Sequence, residues 1–267
     1  MAAHAQVDQS LRHIRAITRR LRDDLAGLPP SAWDAPTNCP PWRVRDLVAH
    51  VVNGAESFRL NVERGVAGLP EPGQTEDERA RRVQQLAAAS PGELLAALDG
   101  ATDDLEALYE RLTADQFEAI CYHRRGNRPA RWYIQHRLAE VAFHHWDLQR
   151  SLGRPAALDT EVAAFLLPTI IESNLPRIYP HGPRGEGRFR LVADDSAASW
   201  LLIAGPERLE VRPGGDDADA TITAPPEVLA LLVYGRADLA EEERHGRARV
   251  DGEGAIAARF HAIFPKP

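Results

Sequence analysis

Apolar side chains recur at helical spacing through the first half of the chain. The segments repeat an apolar residue every three or four positions, and glycine- and proline-containing stretches separate them. Four helices are predicted: one with apolar residues from Leu11 to Leu21, one from just after Pro41 to Gly65 or Gly68, one from Ser90 to about Leu112, and one from about Arg131 to Ser151. The stretch Pro70–Glu78 is predicted to be a polar loop. Four long helices with connections of mixed length are typical of a bundle.

The second half of the chain carries shorter patterns. A helix is predicted over about 160–173, and short runs of strand-forming residues follow it, separated by turn residues. The predicted strands cover 189–192, 199–203, 209–211, 220–222 and 248–250, and two further helices cover 226–234 and about 254–264. We therefore predict an α+β fold of two domains, a helical bundle over 1–155 and a small α+β domain over 156–267.

Composition and charge exclude several classes of protein. The 267 residues carry a net charge of −7, which argues against a broad nucleic-acid-binding face. The longest apolar run, 162–171, is about half the length of a membrane span, and no secretory signal is predicted. Two cysteines form no disulfide framework, so a reduced, cytoplasmic setting is expected. All but one of the 32 basic residues are arginine, a bias typical of GC-rich genomes such as those of actinobacteria.

The fourth predicted helix carries an unusual polar face. At about 100° per residue, His136, Glu140, His144 and Asp147 fall within an arc of roughly 80°, opposite an apolar stripe. A solvated face is the ordinary interpretation of such an arc. However, aromatic residues flank it and it contains no lysine or arginine, whereas solvated faces mix charges of both signs. We therefore predict that this helix is buried on both sides and that its polar face lines a cavity.

This polar face predicts a metal site. Glu140 and His144 are four residues apart, so they lie on adjacent turns and can share one ion. His50, in the second predicted helix, is the candidate for a third ligand. Two histidines and a carboxylate form a common catalytic zinc set with one open position, although nickel or iron(II) also suits it. The alternatives are that His50 is an ordinary core histidine and that the other two belong to a solvated face.

Two segments carry a recognisable pair of motifs. Residues 37–50 read TNCPPWRVRDLVAH, and residues 137–148 read RLAEVAFHHWDL, which contains the pattern E-x-x-x-H-x-x-D-L. Together they resemble the motifs of the mycothiol-dependent maleylpyruvate isomerase family, whose first domain is a DinB-like metal-binding four-helix bundle. The stretch from Thr221 to Arg236 is similar to the small sterol-carrier-like C-terminal domain of that family. The resemblance covers nearly the whole chain.

The resemblance implies roles for particular residues. It implies a divalent metal, usually zinc, on His50, Glu140 and His144. Asp147 then fixes the tautomer of a ligating imidazole or a helix contact. An anionic substrate needs a cationic partner, for which Arg236 is the chosen candidate. The remaining candidates for that role are Arg188, Arg190 and Arg212. Cys39 is interpreted as a packing residue rather than a nucleophile, because no general base is evident beside it in the sequence.

The resemblance also implies a reaction. A free thiol is mostly protonated at neutral pH, and coordination to zinc deprotonates it. In the family reaction the thiolate of mycothiol adds to the cis double bond of maleylpyruvate. Rotation about the resulting single bond and loss of the thiol then give fumarylpyruvate.

Three functions follow from these expectations. The first is a zinc- and mycothiol-dependent enzyme, either an isomerase of the maleylpyruvate type or an S-transferase, acting on a small-molecule electrophile. The second is a thiol-independent zinc hydrolase on the same scaffold. The third is a non-catalytic small-molecule-binding or regulatory protein. The expected partners are the electrophile and a low-molecular-weight thiol, with no nucleic acid and no membrane, and the chain is expected to be a monomer or homodimer.

Overall fold

A computed structural model describes residues 2–179, 185–194, 196, 198–252 and 254–265, with side chains from residue 6 onward. The chain divides into two compact units, Met1–Ala156 and Ala157–Pro267. The first unit is helical, and the second combines a sheet with helices. The predicted α+β fold class is therefore confirmed.

The first unit contains six α-helices among its described residues. They are α1 (Ala2–Ala26), α2 (Val44–Val66), α3 (Glu76–Ala88), α4 (Pro91–Arg111), α5 (Ala114–Phe117) and α6 (Ala130–Ser151). A 3-10 helix covers Pro30–Asp34, and the two-residue strands β1 (Ile120–Cys121) and β2 (Arg128–Pro129) pair in antiparallel fashion just before α6. The four longest helices, α1, α2, α4 and α6, pack on one another. Their apolar stripes form the core, as the helical spacing predicts.

The direction of each helix follows from the side chains that meet between neighbours. Asp24 and His145, both near helix C-termini, are 2.8 Å apart, so α1 and α6 run parallel. Glu63 and Arg111, also near C-termini, make α2 and α4 a second parallel pair. Along α2, Val51 contacts Arg137 and the later residue Phe58 contacts the earlier residue Tyr133, so α2 and α6 run antiparallel. The chain must therefore return along the bundle between α2 and α4, and α3 lies in that connection.

The sequence analysis missed α3, which begins inside the predicted loop Pro70–Glu78. Leu86 is its only buried residue, so no apolar periodicity marks it. A signal was nevertheless present. Thr75 and Glu78 form a capping box, in which the Thr75 hydroxyl accepts from the Glu78 amide and the Glu78 carboxylate accepts from the Thr75 amide.

The second unit is built on a five-stranded sheet. Its strands are β3 (Gly187–Ala193), β4 (Ser199–Ala204), β5 (Leu209–Pro213), β6 (Ala220–Ala224) and β7 (Arg249–Gly252). The strand order is β5-β4-β3-β6-β7, with β3 and β6 parallel and the other pairs antiparallel. The helices are α7 (Thr160–Pro168), α8 (Leu175–Ile178), α9 (Pro226–Val233), α10 (Leu239–Arg244) and α11 (Ile256–Ile263).

The predicted helix over 160–173 is longer and less regular than expected. After α7 the chain continues as a π-helix over Thr169–Asn174 and then as α8. Pro168 and Pro176 flank this wider segment, and proline cannot donate the backbone hydrogen bond of a regular helix.

Among the described residues, no helix combines the length and apolar character that crossing a bilayer requires.

Candidate metal centre

The candidate site lies where α2 and α6 approach each other. His50 projects from α2, and Glu140 and His144 project from adjacent turns of α6. Gly54, one turn after His50, faces α6 without a side chain. A Cβ at that position would lie 3.5 Å from Oε2 of Glu140. The glycine therefore leaves room for the carboxylate between the two helices.

The three candidate ligands converge on one point. Nε2 of His50 is 3.3 Å from Oε2 of Glu140. The rings of His50 and His144 meet edge to face, with 5.0 Å between their centroids. One donor atom from each residue lies within 4.8 Å of those of the other two. The structure thus brings together the three side chains that the sequence indicated.

This arrangement fits a divalent cation. Zinc–ligand distances are about 2 Å, so small side-chain rotations bring donors at this spacing to a single ion. The set of two imidazole nitrogens and a carboxylate oxygen suits zinc, nickel or iron(II). Oε2 of Glu140 is buried, with Nε2 of His50 as its near neighbour at 3.3 Å, and a buried carboxylate oxygen is costly unless it is paired or ligating.

The electrostatics of the site favour an ionised Glu140. Burial alone raises the pKa of this carboxyl, but hydrogen bonding to His50 and the charges of His50, His136 and His144 outweigh it. The pKa of Glu140 is therefore held well below its usual range. A carboxylate that is already ionised needs to lose no proton before it binds a cation.

Asp147 lies one turn beyond His144 and is almost completely buried. Its Oδ2 is 3.1 Å from Nδ1 of His144, which leaves Nε2 of that ring for another partner. The Cys39 thiol also lies close to this pair, and Cys39, His144 and Asp147 form a second group of donor atoms within 4.8 Å. The sequence analysis did not anticipate that Cys39 would lie next to a histidine. Both groups include His144. In the second group Asp147 is already paired with Nδ1 of His144, so the group that contains His50 is the better site for an ion.

A cleft of about 160 Å³ opens from His50 and Glu140. His136 also lines this cleft, stacked on Trp132 with 4.4 Å between ring centroids. Its Nε2 is 3.9 Å from Oε1 of Glu140. The prediction that α6 is buried on both sides, with its polar face lining a cavity, therefore agrees with the structure.

His123 lines the same cleft and was missed in the sequence analysis. Burial, followed by the charges of His136 and nearby arginines, lowers its pKa to about 3. Burial likewise lowers the pKa of His136, against the opposing effect of Glu140. Both shifts favour the neutral form of the imidazole over the charged form. His123 sits in the turn between β1 and β2, where no periodic pattern marks it.

Arg137 is a second residue that the sequence analysis missed. It is fully buried, and its Nη1 donates to the Val51 carbonyl at 2.8 Å. Its Nη2 donates to the Thr102 hydroxyl at 3.4 Å. The guanidinium thus links α6 to α2 and α4 directly beside the candidate metal centre. An arginine at the edge of the polar face of a helix is ordinarily exposed, so nothing in the sequence indicated a buried Arg137.

The candidate substrate arginines lie in the second unit. Arg236 follows α9 and is half-buried, with Nη1 3.4 Å from the Tyr234 carbonyl. The alternatives form ion pairs with nearby carboxylates, namely Arg188 with Asp217, Arg190 with Asp216 and Arg212 with Glu210. The role of Arg236 toward a substrate stays a prediction.

Comparison with known proteins gives two kinds of similarity. Uncharacterized protein Rv0738 of Mycobacterium tuberculosis is 31% identical over 128 residues, which cover 48% of this chain and 59% of that relative. The match therefore spans only about three fifths of the relative's length. A crystal structure of the mycothiol-dependent maleylpyruvate isomerase superposes with a TM-score of 0.66 at 17% identity, covering 86% of this chain and 90% of that one. A histidine-to-alanine mutant of that isomerase superposes with a TM-score of 0.68 at 16% identity, covering 93% and 94%. These structures share the fold.

Family models match both units. The model described as the SCP-2 sterol transfer family matches residues 184–265, which contain the five-stranded sheet. The model described as the mycothiol maleylpyruvate isomerase N-terminal domain matches residues 14–149, just over half of the chain. That match contains the three candidate metal ligands, His50, Glu140 and His144. The chain belongs to the mycothiol maleylpyruvate isomerase family.

Proposed function

We propose that this protein is a metal-dependent enzyme that uses mycothiol to attack an electrophilic small molecule. The convergence of His50, Glu140 and His144 from two facing helices carries the proposal. Membership of the mycothiol maleylpyruvate isomerase family supports the choice of thiol and of an unsaturated acid as substrate. The two candidate reactions are isomerisation of the maleylpyruvate type and S-transfer.

The three candidate ligands would hold a divalent ion, zinc in our proposal. Such an ion would supply the positive charge that lowers the pKa of a thiol. Glu140 supplies a negative charge, and Asp147 orients the His144 ring. The Trp42 ring lies 4.7 Å from that of His50 and covers one side of the group. The cleft beside His136 offers the space for an electrophile.

The proposed reaction follows from a thiolate and an activated double bond. In isomerisation the sulfur adds to one carbon of a cis double bond, the molecule rotates about the new single bond, and loss of the same thiol restores a trans double bond. In S-transfer the carbon–sulfur bond is kept and a proton from solvent completes the product. The two outcomes differ only in whether the thiol is regenerated.

Metal analysis tests the ligand set. We expect the wild-type protein to hold one divalent ion per chain, and His50→Ala, Glu140→Ala and His144→Ala each to lose it. His145→Ala is the matched control, since His145 is adjacent on α6 but pairs with Asp24 of α1. Its metal content should equal that of the wild type. Full metal in all three ligand variants would falsify the site.

A thiol-dependence assay tests the chemistry. Conversion of maleylpyruvate, followed by its ultraviolet absorbance, should require both metal and mycothiol and should be lost with the metal in the three variants. A thiol adduct recovered in stoichiometric amount from a generic electrophile would assign S-transfer. Turnover without any thiol would contradict the proposal and favour a hydrolase. A metal-loaded protein inactive in both assays would favour a non-catalytic binding protein.

A further inference from the structure

The cleft is also lined by two arginines that the proposed reaction has not used. Arg79 projects from the first turn of α3, and Arg124 projects from the turn between β1 and β2. Both line the cleft that His50 and Glu140 also line. In the part of the chain that the structure describes, neither guanidinium forms an ion pair with a carboxylate. Such a pair of free cations in one cleft is available to an anionic ligand.

The position of Arg79 is fixed by the packing of α3 on α2. Gly73 approaches so closely that a Cβ there would lie 2.5 Å from the Cβ of Leu60. Its amide donates to Oδ1 of Asn61 at 2.8 Å. One turn after Arg79, Arg82 forms an ion pair with Glu56 of α2 at 2.6 Å. The contacts of Gly73 and Arg82 with α2 therefore fix the part of α3 that carries Arg79, without using the Arg79 guanidinium.

Arg124 acts on the same space from the opposite element. Its charge is among the causes that lower the pKa values of His123 and His136, both of which line the cleft. The electrostatic field of Arg124 thus reaches into the interior of the cleft. Apart from Glu140, Glu76 is the one acidic residue that lines the cleft among the described residues. In the described region it makes no ion pair with Arg79. It lies in the first turn of α3, where a carboxylate stabilises the helix N-terminus.

We propose that Arg79 and Arg124 form a carboxylate-binding subsite that holds the acidic end of the electrophile while its double bond lies next to His50 and Glu140. This assignment rests on the proposed function and narrows it to electrophiles that carry a carboxylate at some distance from the reacting carbon. It places an anion-binding pair in the bundle, independent of any role of Arg236. Guanidinium groups bind carboxylates through charge-assisted, paired hydrogen bonds.

Direct binding tests the subsite without turnover. The probe is maleate, a cis-dicarboxylate, and its neutral counterpart is dimethyl maleate, both measured by ligand-observed NMR on the metal-loaded protein without thiol. The test variant is Arg79→Gln/Arg124→Gln. The control, Arg81→Gln/Arg244→Gln, removes the same charge from exposed positions, one of them on α3, that do not line the cleft.

We expect the test variant to weaken maleate binding at least 10-fold, since it removes the charge-assisted hydrogen bonds that both guanidinium groups would make to the carboxylate. Dimethyl maleate should bind the test variant and the wild type equally, and the control should bind maleate within about twofold of the wild type. Equal losses for both probes, or unchanged maleate affinity, would overturn the subsite. Metal content is measured in every sample, so a wild-type protein without metal refutes the proposed function, whereas metal retained with unchanged maleate affinity refutes only the subsite.

Discussion

Asp147 has no access to solvent and lies next to Nδ1 of His144, so in our proposal it orients that imidazole toward the ion. We expect Asp147→Asn to weaken metal affinity by about 10–100-fold, because partners of ligating histidines typically contribute that much. Competition with a chromophoric chelator measures the change. Asp24→Asn is the matched control, since Asp24 pairs with the non-ligand His145. Equal affinities of Asp147→Asn and the wild type would contradict this role.

Arg137 holds three helices together and interacts electrostatically with Glu140. We expect Arg137→Met to lower the free energy of unfolding by about 2–4 kcal/mol, because the Val51 carbonyl loses its donor and Glu140 loses a neighbouring positive charge. The loss should be smaller in zinc, since a bound cation replaces that charge. Urea unfolding with and without zinc measures both values.

A control for this variant lies at the end of the same helix. Arg150 lies over the Trp146 ring and is exposed. Arg150→Met should change stability by less than about 1 kcal/mol, with no dependence on zinc. A loss from Arg137→Met that is the same with and without zinc would refute the electrostatic part of the argument.

At this scale, periodicity located some site residues and missed others. His50, Glu140 and His144 lie on long helices with clear apolar stripes, so their faces could be worked out by counting residues. His123 and Arg124 lie in a turn, where spacing does not determine direction. Cys39 precedes α2, and its proximity to His144 depends on how the chain enters that helix. These positions required the tertiary structure.

Among the secondary-structure elements, α3 supplies part of the lining of the cleft, and Gly73 lies close to α2 just before α3 begins. We expect Gly73→Ala to lower the free energy of unfolding by about 1–3 kcal/mol, because a methyl group would overlap Leu60. Gly73→Ala should also weaken maleate binding, because a shift of α3 moves Arg79. Metal content should stay the same. Thermal unfolding and the NMR binding assay measure these effects.

Gly100→Ala provides the comparison. Gly100 lies in the middle of α4, and a Cβ there would meet no atom within 4 Å. The substitution should stabilise the protein by about 0.5–1 kcal/mol through the higher helix propensity of alanine. If Gly73→Ala were equally stabilising, the close approach of residues 72–74 to α2 would be wrong.

The elements that could be predicted were those that bury an apolar face. The helices α1, α2, α4 and α6 and the five sheet strands all follow from apolar spacing and turn residues. The helix α3 buries one side chain and was missed, although Thr75 and Glu78 carry a capping box. The π-helical segment after Pro168 was predicted as an ordinary helix, because helical periods differ too little over six residues to be told apart.

At the scale of the whole molecule, we expect metal binding to stabilise mainly the unit that holds the candidate ligands. We expect a chelator to raise amide exchange in α2 and α6 and to leave β3, β4 and β6 unchanged. An ion that binds only the folded bundle stabilises it by about 4 kcal/mol at a thousandfold excess over its Kd. Hydrogen-exchange mass spectrometry measures the change by peptide. In His50→Ala the chelator should have no effect, and equal deprotection of both units would contradict the expectation.

The two-domain plan could be predicted because the pattern changes along the chain. Helical spacing dominates before Ser151, and short strand-like runs follow Gly187. The division into units falls next to the predicted boundary. The parallel pairing of β3 with β6 was not predicted, since strand order depends on contacts between distant residues.

The parallel packing of α1 and α6 also affects how the protein is made. These are the first and last helices of the bundle, so its closure waits until residue 151 has left the ribosome. At translation rates of about 5–20 residues per second, His50 emerges several seconds before Glu140. A nascent chain with His50 alone has little hold on a cation. If the proposed metal site is correct, we expect the ion to bind after the bundle has been synthesised, with a yield that depends on the free metal supply of the cell.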